Sequence, residues 1–291
     1  MGTVAIASVP RLRVSSQRIA PILLVAPLTL YMVAFYLLPL ASMLLRSVAD
    51  PTWTMENYRR LAGDAVFLKV FWTTLRTALV VTLGALALGY PVALALSRLR
   101  RGAATFVLAI VLLPFWTSVL VRSYAWMVLL GRKGLVNETL IASGLIDAPL
   151  KLLNTPFAVH IAMIHILLPY MILPIASVLR QIDSALLRAA AGLGAPPWRV
   201  FLQVVLPLSI PGVAAGALLV FVLSLGFYIT PALVGGPLDL MLSMLIAQQV
   251  DLLNWPYAAC LSAALLATTL LLILLFQRLP GVRDVLRTAA R

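Results

Sequence analysis

The sequence has few charged residues and almost none of the groups on which soluble enzymes rely. Only 11% of its 291 residues are charged and 63% are hydrophobic, a larger apolar share than soluble globular domains have. The single cysteine, Cys260, excludes a disulfide framework or a cysteine-based metal cluster. His160 and His165 would point in different directions from a helix, so they cannot bind one metal ion from the same face. We therefore expect neither a metal site nor a catalytic site.

Acidic residues are scarcer than basic ones, and a nucleotide-binding loop is missing. The chain has 22 Lys and Arg residues against nine Asp and Glu residues, which gives a formal net charge of +13. No Gly-x-x-x-x-Gly-Lys-Ser/Thr motif, which would cradle nucleotide phosphates, occurs in the sequence. Any nucleotide-binding module must therefore belong to another chain.

Long apolar runs are the main feature that is present. A helix needs about 20 apolar residues to cross a bilayer. Six stretches satisfy this requirement: 21–45, 70–96, 105–129, 157–179, 209–233 and 257–277. These runs lack the alternation of a membrane barrel, and helices satisfy their own backbone groups in hydrocarbon. The sequence therefore predicts an all-α polytopic membrane protein with six transmembrane helices.

The distribution of positive charge predicts the orientation. If the N-terminus is inside, the inner segments carry 13 basic and two acidic residues, whereas the outer segments carry seven of each. The inner segments are then 1–20, 97–104, 180–208 and 278–291, and the outer segments are 46–69, 130–156 and 234–256. Because cytoplasmic loops accumulate Lys and Arg, both termini are expected in the cytoplasm. The basic excess requires no nucleic acid as a partner.

The inner connection 180–208 is much longer than a helix–helix turn requires. Asp183 or the serine after it can cap a short helix there. Gly194 stands where that helix should end in a left-handed conformation, and Pro196 and Pro197 prevent its continuation. The pattern predicts two short helices that meet at a tight elbow. The alternative is an interfacial helix that lies on lipid.

Three segments carry a resemblance to a known family. Residues 182–212 (IDSALLRAAAGLGA, followed by LPLSIPG near the end) resemble the EAA loop of permease subunits in binding-protein-dependent ABC importers. Residues 113–126 (LPFWTSVLVRSYAW) and 168–174 (LPYMILP) look like the spermidine/putrescine branch of that family. The resemblance covers roughly residues 55–280.

This resemblance implies a type I ABC importer permease fold in a bacterial inner membrane. The first helix, 21–45, would precede a permease core, 70–277, with five transmembrane helices and the coupling loop 180–208. The implied partners are a cytoplasmic ABC ATPase dimer, a second permease subunit, a periplasmic solute-binding protein and the lipid membrane. ATP and Mg would be bound by the ATPase, so no cofactor is expected in this chain. The implied cargo is a small polar solute, spermidine, putrescine or a related compound.

The resemblance also implies which residues contact or follow the ATPase. The coupling-loop candidates are Arg188, Ala189, Ala190, Gly194, Ala195, Pro207, Pro211 and Gly212. Arg188 stands where the family usually has glutamate, which motivates the hypothesis that the ATPase carries a compensating acid. Gly212 and Gly216 form a Gly-x-x-x-Gly pair, which permits close helix approach.

Candidates for the translocation path are the aromatic and basic residues of the spans. These are Trp116, Arg122, Tyr124, Trp126, Tyr170 and Tyr228. For Arg122, snorkelling or pairing with Glu138 is the alternative, and the aromatic residues could instead form a membrane belt or pack in the core. No predicted span contains Asp or Glu. A cation would therefore be attracted by aromatic faces, or selectivity would reside in the binding protein.

Two other functional classes compete with the importer. A secondary transporter or channel would work without an ATPase, but it usually keeps an ionisable site near the midplane and does not need a long inner elbow. A membrane-embedded hydrolase would need a nucleophile with a base, or a metal. Neither pattern is found in the spans.

Overall fold

The computed structural model describes residues 16–49 and 52–278, and every regular element in these ranges is helical. The α-helices in chain order are α1 Ser16–Met32, α2 Leu38–Ala49, α3 Glu56–Gly63, α4 Ala65–Arg98, α5 Arg101–Leu112, α6 Val119–Leu130, α7 Leu135–Ala142, α8 Pro156–Gln181, α9 Ser184–Gly192, α10 Pro197–Val200, α11 Leu206–Leu225, α12 Ile229–Val234, α13 Leu242–Asp251 and α14 Trp255–Gln277. Five-residue π-helical segments join α1 to α2 and α10 to α11. The prediction of an all-α polytopic chain is confirmed.

Five helical stretches are long and apolar enough to cross a membrane. They are Leu24–Ala49, Ala65–Arg98, Pro156–Gln181, Pro197–Leu225 and Trp255–Gln277. A sixth crossing exists if the bent pair Arg101–Trp116 and Val119–Ala142 is one span. The stretches that contain the predicted second, fourth and sixth spans each extend beyond the predicted span at one or both ends, by a few residues. The predicted first span, 21–45, overlaps Leu24–Ala49 and ends a few residues before it.

The predicted third span, 105–129, is wrong as a single straight helix. The chain forms a 3-10 turn at Leu113–Trp116, becomes extended at Thr117 and starts α6 after Ser118, whose Oγ accepts from the Leu120 N–H at 3.3 Å. The two halves are bent by 99°. The cause is local: Pro114 lacks an N–H, and Ser118 caps a new helix more readily than it continues an old one.

The predicted fifth span, 209–233, is displaced in the structure. Its helix begins at Pro197, inside the segment predicted as loop, and ends at Leu225. The chain leaves the helix at Gly226 and forms the short α12 instead. The part of the coupling segment that follows Pro196 and most of the fifth span are therefore one helical rod.

The centre of the fold is a three-helix core of α4, α8 and α11. Its buried side chains are mostly aliphatic, and Val81, Met171 and Ile172 are fully excluded from solvent. Small residues allow the helices to approach: a Cβ on Gly89 would lie 3.2 Å from Met171 Cγ. Close packing of this kind stabilises helix pairs in lipid, where water contributes no hydrophobic force between them.

The predicted close approach at Gly212 and Gly216 is confirmed. A Cβ on Gly212 would lie 2.9 Å from Ile175 Cα, and a Cβ on Gly216 would lie 3.0 Å from the Met171 carbonyl oxygen. Both contacts are with the backbone of α8, which cannot move aside as a flexible side chain can. Helix α11 is therefore fixed against α8 over this length.

A second buried cluster joins the last helix to α3 and α4. Tyr257 of α14 is 2% exposed, and its hydroxyl donates to Asp64 Oδ2 at 2.8 Å. Asp64 also caps α4 by accepting from the Val66 N–H. Donation from the Tyr257 hydroxyl, with help from the backbone N–H groups and the nearby Arg60 charge, holds the pKa of Asp64 below its ordinary value. Hydrogen bonds to a carboxylate favour its ionised form.

Candidate functional site

The elbow between α8 and α11 begins with a capped short helix. The chain leaves α8 at Ile182 in an extended conformation, and Asp183 then accepts a hydrogen bond from the Ala185 N–H at 2.8 Å. The predicted cap is therefore Asp183 rather than Ser184. Ser184 instead accepts from Arg188 Nη1 at 2.8 Å. Both side-chain contacts stabilise the N-terminal turn of α9.

The other end of α9 is closed by a glycine in the left-handed region. Gly194 has φ of +82°, as its position predicts. Its N–H donates to the Ala191 carbonyl at 2.9 Å, and the Ala195 N–H donates to the Ala190 carbonyl at 3.2 Å. This pair of bonds is the Schellman arrangement, which satisfies the last carbonyls of a helix. Pro196 and Pro197 then start α10, so the connection between α9 and α10 is short.

Helix α9 has one anchored face and one open face. Ile182 and Leu187 pack against the three-helix core. Arg188, Ala189 and Gly194 are exposed, whereas Ala190 and Ala195 are half-buried. The open face also carries three large apolar side chains: Leu186, Leu193, which is 89% exposed, and Trp198. A surface of small and apolar residues around one arginine has the composition of a docking site for a protein groove.

The remaining three coupling candidates lie away from the elbow. Pro207 is exposed in the first turn of α11, Pro211 is half-buried and Gly212 is fully packed against α8. The structure therefore groups the eight candidates into a docking surface and a helical rod behind it.

A polar and aromatic link that the sequence did not predict connects the rod to α4. Tyr90 Oη and Ser209 Oγ are 2.9 Å apart, and the Tyr90 ring meets Phe201 edge-on at 6.0 Å between centroids. Tyr90 and Ser209 are 119 residues apart in the sequence. No local pattern signals such a pair. It ties α11 to a second core helix near the elbow.

A small cavity at the bend of the third span contains Arg122. It has a volume of about 150 Å³ and lies between α6, α8 and the end of α11. The aromatic rings of Phe115, Tyr170 and Phe227 line it. The ring centroids of Phe115 and Tyr170 are separated by 5.0 Å. Arg122 Nε is buried and has no hydrogen-bond partner in the described part of the chain. The alternative in which Glu138 pairs with Arg122 is therefore not supported for the Nε atom, which forms no hydrogen bond with Glu138.

The other path candidates do not join this cavity. Trp116 is 83% exposed, and Tyr124 and Tyr228 are also on the outer surface of this chain. Trp126 instead donates through Nε1 to His165 Nδ1 at 3.3 Å. The bend separates only Trp116, which lies before Thr117, whereas Arg122, Tyr124 and Trp126 share α6 but lie at different angles around its axis. Of the six candidates, the structure brings only Arg122 and Tyr170 together.

A buried hydroxyl pair fixes the orientation of α6. Ser123 Oγ and Thr230 Oγ1 are 2.9 Å apart, and both residues are fully buried. Ser123 follows Arg122 directly, so this bond holds α6 against α12 where the guanidinium enters the cavity. The sequence reasoning missed both residues, since isolated Ser and Thr residues are common in apolar helices.

An acidic residue in the loop after α12 has a structural role. Asp239 is buried, and its Oδ2 accepts from the Gly236 N–H at 2.9 Å. This loop lines an open cavity of about 640 Å³ together with Lys151 and Gln248. Among the described residues, no cluster of three or more His, Cys, Asp or Glu side chains has a geometry suited to a metal ion.

These features define a polytopic membrane protein with an exposed helical elbow on a packed helical rod. Comparison with known proteins identifies its family. The sequence model described as "Binding-protein-dependent transport system inner membrane component" matches residues 85–282.

Curated relatives agree with this family. The spermidine/putrescine transport system permease protein PotB of Escherichia coli is 36% identical over 233 residues, which cover 80% of this chain and 84% of the relative. PotB of Haemophilus influenzae is 38% identical over 226 residues, 77% of this chain and 79% of the relative. The inner membrane ABC transporter permease protein YdcU of Escherichia coli is 35% identical over 249 residues, 81% of this chain and 79% of the relative.

Solved structures agree on the fold. A bacterial ABC transporter involved in the import of the acidic polysaccharide alginate matches with a TM-score of 0.74 at 17% identity, over 91% of this chain and 97% of that chain. The same kind of transporter in complex with an alginate pentasaccharide-bound periplasmic protein matches with a TM-score of 0.75 at 18% identity, over 92% and 98%.

The chain belongs to the family of binding-protein-dependent transport system inner membrane components. It is a multi-pass inner-membrane permease subunit of an ABC importer, a transport subunit rather than an enzyme. The alternatives of a secondary transporter and a membrane-embedded hydrolase are thereby set aside.

Proposed function

We propose that this permease subunit forms part of the translocation path for a polyamine such as spermidine or putrescine, driven by a separate ATPase. The solute class rests on the PotB relatives, which share 36–38% identity with about four fifths of this chain. The observation that carries the coupling is the elbow, where α9 is closed at both ends while its outer face stays open.

The proposed assembly has four kinds of component. Two permease subunits, this one and a second, surround the path, and a periplasmic binding protein delivers the solute. A cytoplasmic ATPase dimer binds ATP and Mg, since this sequence has no phosphate-binding loop. The same dimer contacts the elbow. This arrangement places both termini and the elbow in the cytoplasm, in keeping with the distribution of Lys and Arg.

The contacts of α11 suggest how movement of the elbow reaches the path. Gly212 is locked to the α8 backbone, and Leu223 of the same helix lines the Arg122 cavity. Eleven residues of helix separate them, about 16 Å at 1.5 Å per residue. A rigid displacement of the elbow by the ATPase would therefore shift one wall of the cavity against another.

The residues of the Arg122 cavity support weak binding of a cationic solute by the permease rather than tight binding. A cationic solute gains from the rings of Phe115, Tyr170 and Phe227 but is repelled by the Arg122 guanidinium. We propose that selection of the solute is made by the binding protein, and that Arg122 keeps a polyamine from resting in the path.

Reconstitution tests the proposed solute. The two permeases, the ATPase and the binding protein are assembled in vesicles, and uptake of radiolabelled spermidine and putrescine is measured with ATP inside. We expect uptake that requires both ATP and the binding protein. ATP-driven uptake of an acidic sugar or an amino acid, with no polyamine uptake, would overturn the solute class and leave the coupling intact.

Charge reversal at Arg188 tests the ATPase contact. If the ATPase presents an acid to this exposed side chain, Arg188→Glu should weaken co-purification of the ATPase several-fold, whereas Arg188→Lys should preserve it. Unchanged or improved assembly of the glutamate variant would show that no compensating acid faces Arg188.

A further inference from the structure

A basic cavity lies beside the elbow, separate from the docking surface and from the Arg122 cavity. It has a volume of about 340 Å³ and is formed where α4 ends, α5 begins and α8 ends. Its polar lining is Arg101, Arg180, Ser97 and Thr105, and its floor includes Leu96 and Leu108. None of the permease functions described above uses these residues.

The charge of this cavity is positive and uncompensated. Within the part of the chain that the structure describes, no acidic side chain lines it. The polar contact of Arg180 is a long one, 3.5 Å from Nη2 to the Leu96 carbonyl oxygen. Arg98 and Arg100 are exposed next to the cavity and add to its potential. Two guanidinium groups at one concave site favour a phosphate, which accepts several hydrogen bonds from each of them.

The position of the cavity indicates where that phosphate comes from. Three apolar helices reach their ends here, at Arg98, Arg101 and Gln181, so the cavity lies at the level where a span meets lipid headgroups. The cavity also has an apolar side, formed by Leu96, Leu108 and Leu99, which is 40% exposed. A molecule with a phosphate and an acyl chain satisfies both parts of this surface.

The positive charge of the chain's own terminal segments disfavours their binding in this cavity. The segments outside the described ranges carry Arg11 and Arg13 near the start, and three arginines against one aspartate near the end. Like charges would oppose their entry.

We propose that this cavity binds an anionic phospholipid, with its phosphate between Arg101 and Arg180 and an acyl chain against Leu99 and Leu108. Basic pockets between membrane helices bind lipid headgroups in this way. The bound lipid would brace the α4–α5 turn against the end of α8, immediately before the elbow.

Native mass spectrometry of the purified permease complex tests the proposal. The protein is delipidated and titrated with phosphatidylglycerol or with phosphatidylcholine of the same acyl chains. We expect phosphatidylglycerol to bind more tightly, and the double variant Arg101→Gln/Arg180→Gln to lose about tenfold or more of that affinity, since it removes the charge-assisted hydrogen bonds of both guanidinium groups to the phosphate. Affinity for phosphatidylcholine should not change.

The matched control is Arg98→Gln/Arg100→Gln, which removes two charges beside the cavity from residues that do not line it. Its loss of affinity for phosphatidylglycerol should be clearly smaller, and equal losses in the two double variants would overturn the proposal. If the double variant does not fold, as judged by circular dichroism and gel filtration, the single variant Arg101→Gln at an exposed position carries the test, with a loss of about threefold. Wild-type affinity for phosphatidylglycerol in a folded variant would overturn the proposal. Displacement of the lipid by millimolar inorganic phosphate alone would assign the site to free phosphate instead.

Discussion

Two bends in this molecule interrupt a helical run close to an arginine and leave that arginine in opposite surroundings. At the elbow, the chain turns at Gly194 and starts a helix at Pro197, whereas at the third span it turns after Pro114 and starts a helix after Ser118. The elbow bend exposes an arginine and small residues on the outside. The bend in the third span places an arginine in a cavity between helices. The surroundings of each bend therefore decide whether its arginine is exposed or enclosed between helices.

The difference has a physical origin in what lies behind each bend. Behind the elbow is a rod fixed to α8 by backbone contacts at Gly212 and Gly216, and these contacts support the proposal that the elbow transmits displacement. Behind the third-span bend, buried hydroxyls of Ser123 and Thr230 hold α6 in one orientation. The following predictions test this contrast.

The largest effect is expected at Gly194. Its φ of +82° costs about 1–2 kcal/mol for a residue with a Cβ, and more for a β-branched one, so Gly194→Val should distort the elbow. ATP-dependent uptake in reconstituted vesicles should fall about tenfold or more, while the amount of protein in the membrane stays unchanged. Gly192→Ala is the control, because that glycine is helical and a Cβ there would meet no neighbour within 4 Å. Equal activity of both variants would show that the elbow geometry is not required.

The next largest effect is expected at Gly212, behind the elbow. A Cβ there would approach Ile175 Cα and the Pro174 carbonyl oxygen to 2.9 Å, so Gly212→Ala should cost about 1–3 kcal/mol by overpacking. Thermal melting of the purified protein should shift downward, and uptake should fall with it. Gly63→Ala, where nothing lies within 4 Å, should leave the melting temperature unchanged. A wild-type melting curve for the Gly212 variant would contradict the rigid rod.

A smaller and qualitatively different effect is expected at the bend of the third span. Arg122→Met removes a charge whose Nε is buried without a partner, so the melting temperature should stay the same or rise. Spermidine uptake should fall several-fold, and direct binding of spermidine to the permease should become measurable, because the repulsion is lost. Arg132→Met, a matched change at an exposed turn position, should alter neither quantity. A variant that transports normally and still binds no spermidine would remove Arg122 from the path.

The smallest effect is expected far from both bends, at Asp64. Its pKa is lowered in the folded protein by the Tyr257 hydroxyl and by other donors, so its contribution to stability is present above the ordinary pKa of aspartate and is lost as the pH falls through the folded value. Melting temperatures between pH 7 and about pH 3 should show a slight acid destabilisation that Tyr257→Phe reduces. A pH dependence unaffected by Tyr257→Phe would show that the hydrogen bond does not set this pKa.

Several elements could be predicted because their signals are local. The apolar runs are long enough to identify the helices at 70–96 and 157–179, and the glycine and prolines of 194–197 identify the elbow. The bend at 113–118 was missed because it lies inside an unbroken apolar run, where hydropathy does not distinguish a straight helix from a broken one. The path candidates of α6 are dispersed because Arg122, Tyr124 and Trp126 lie at different angles around one helix.

The sequence alone determined that this protein spans a membrane with helices and has a capped, glycine-closed elbow, because hydropathy, capping and left-handed backbone preferences act over a few neighbouring residues. Tertiary structure decided which side chains meet: Tyr90 with Ser209, Ser123 with Thr230, and Arg122 with Tyr170. These pairs depend on how whole helices are rotated and bent against one another, and that is set by the sum of many packing contacts rather than by any local pattern.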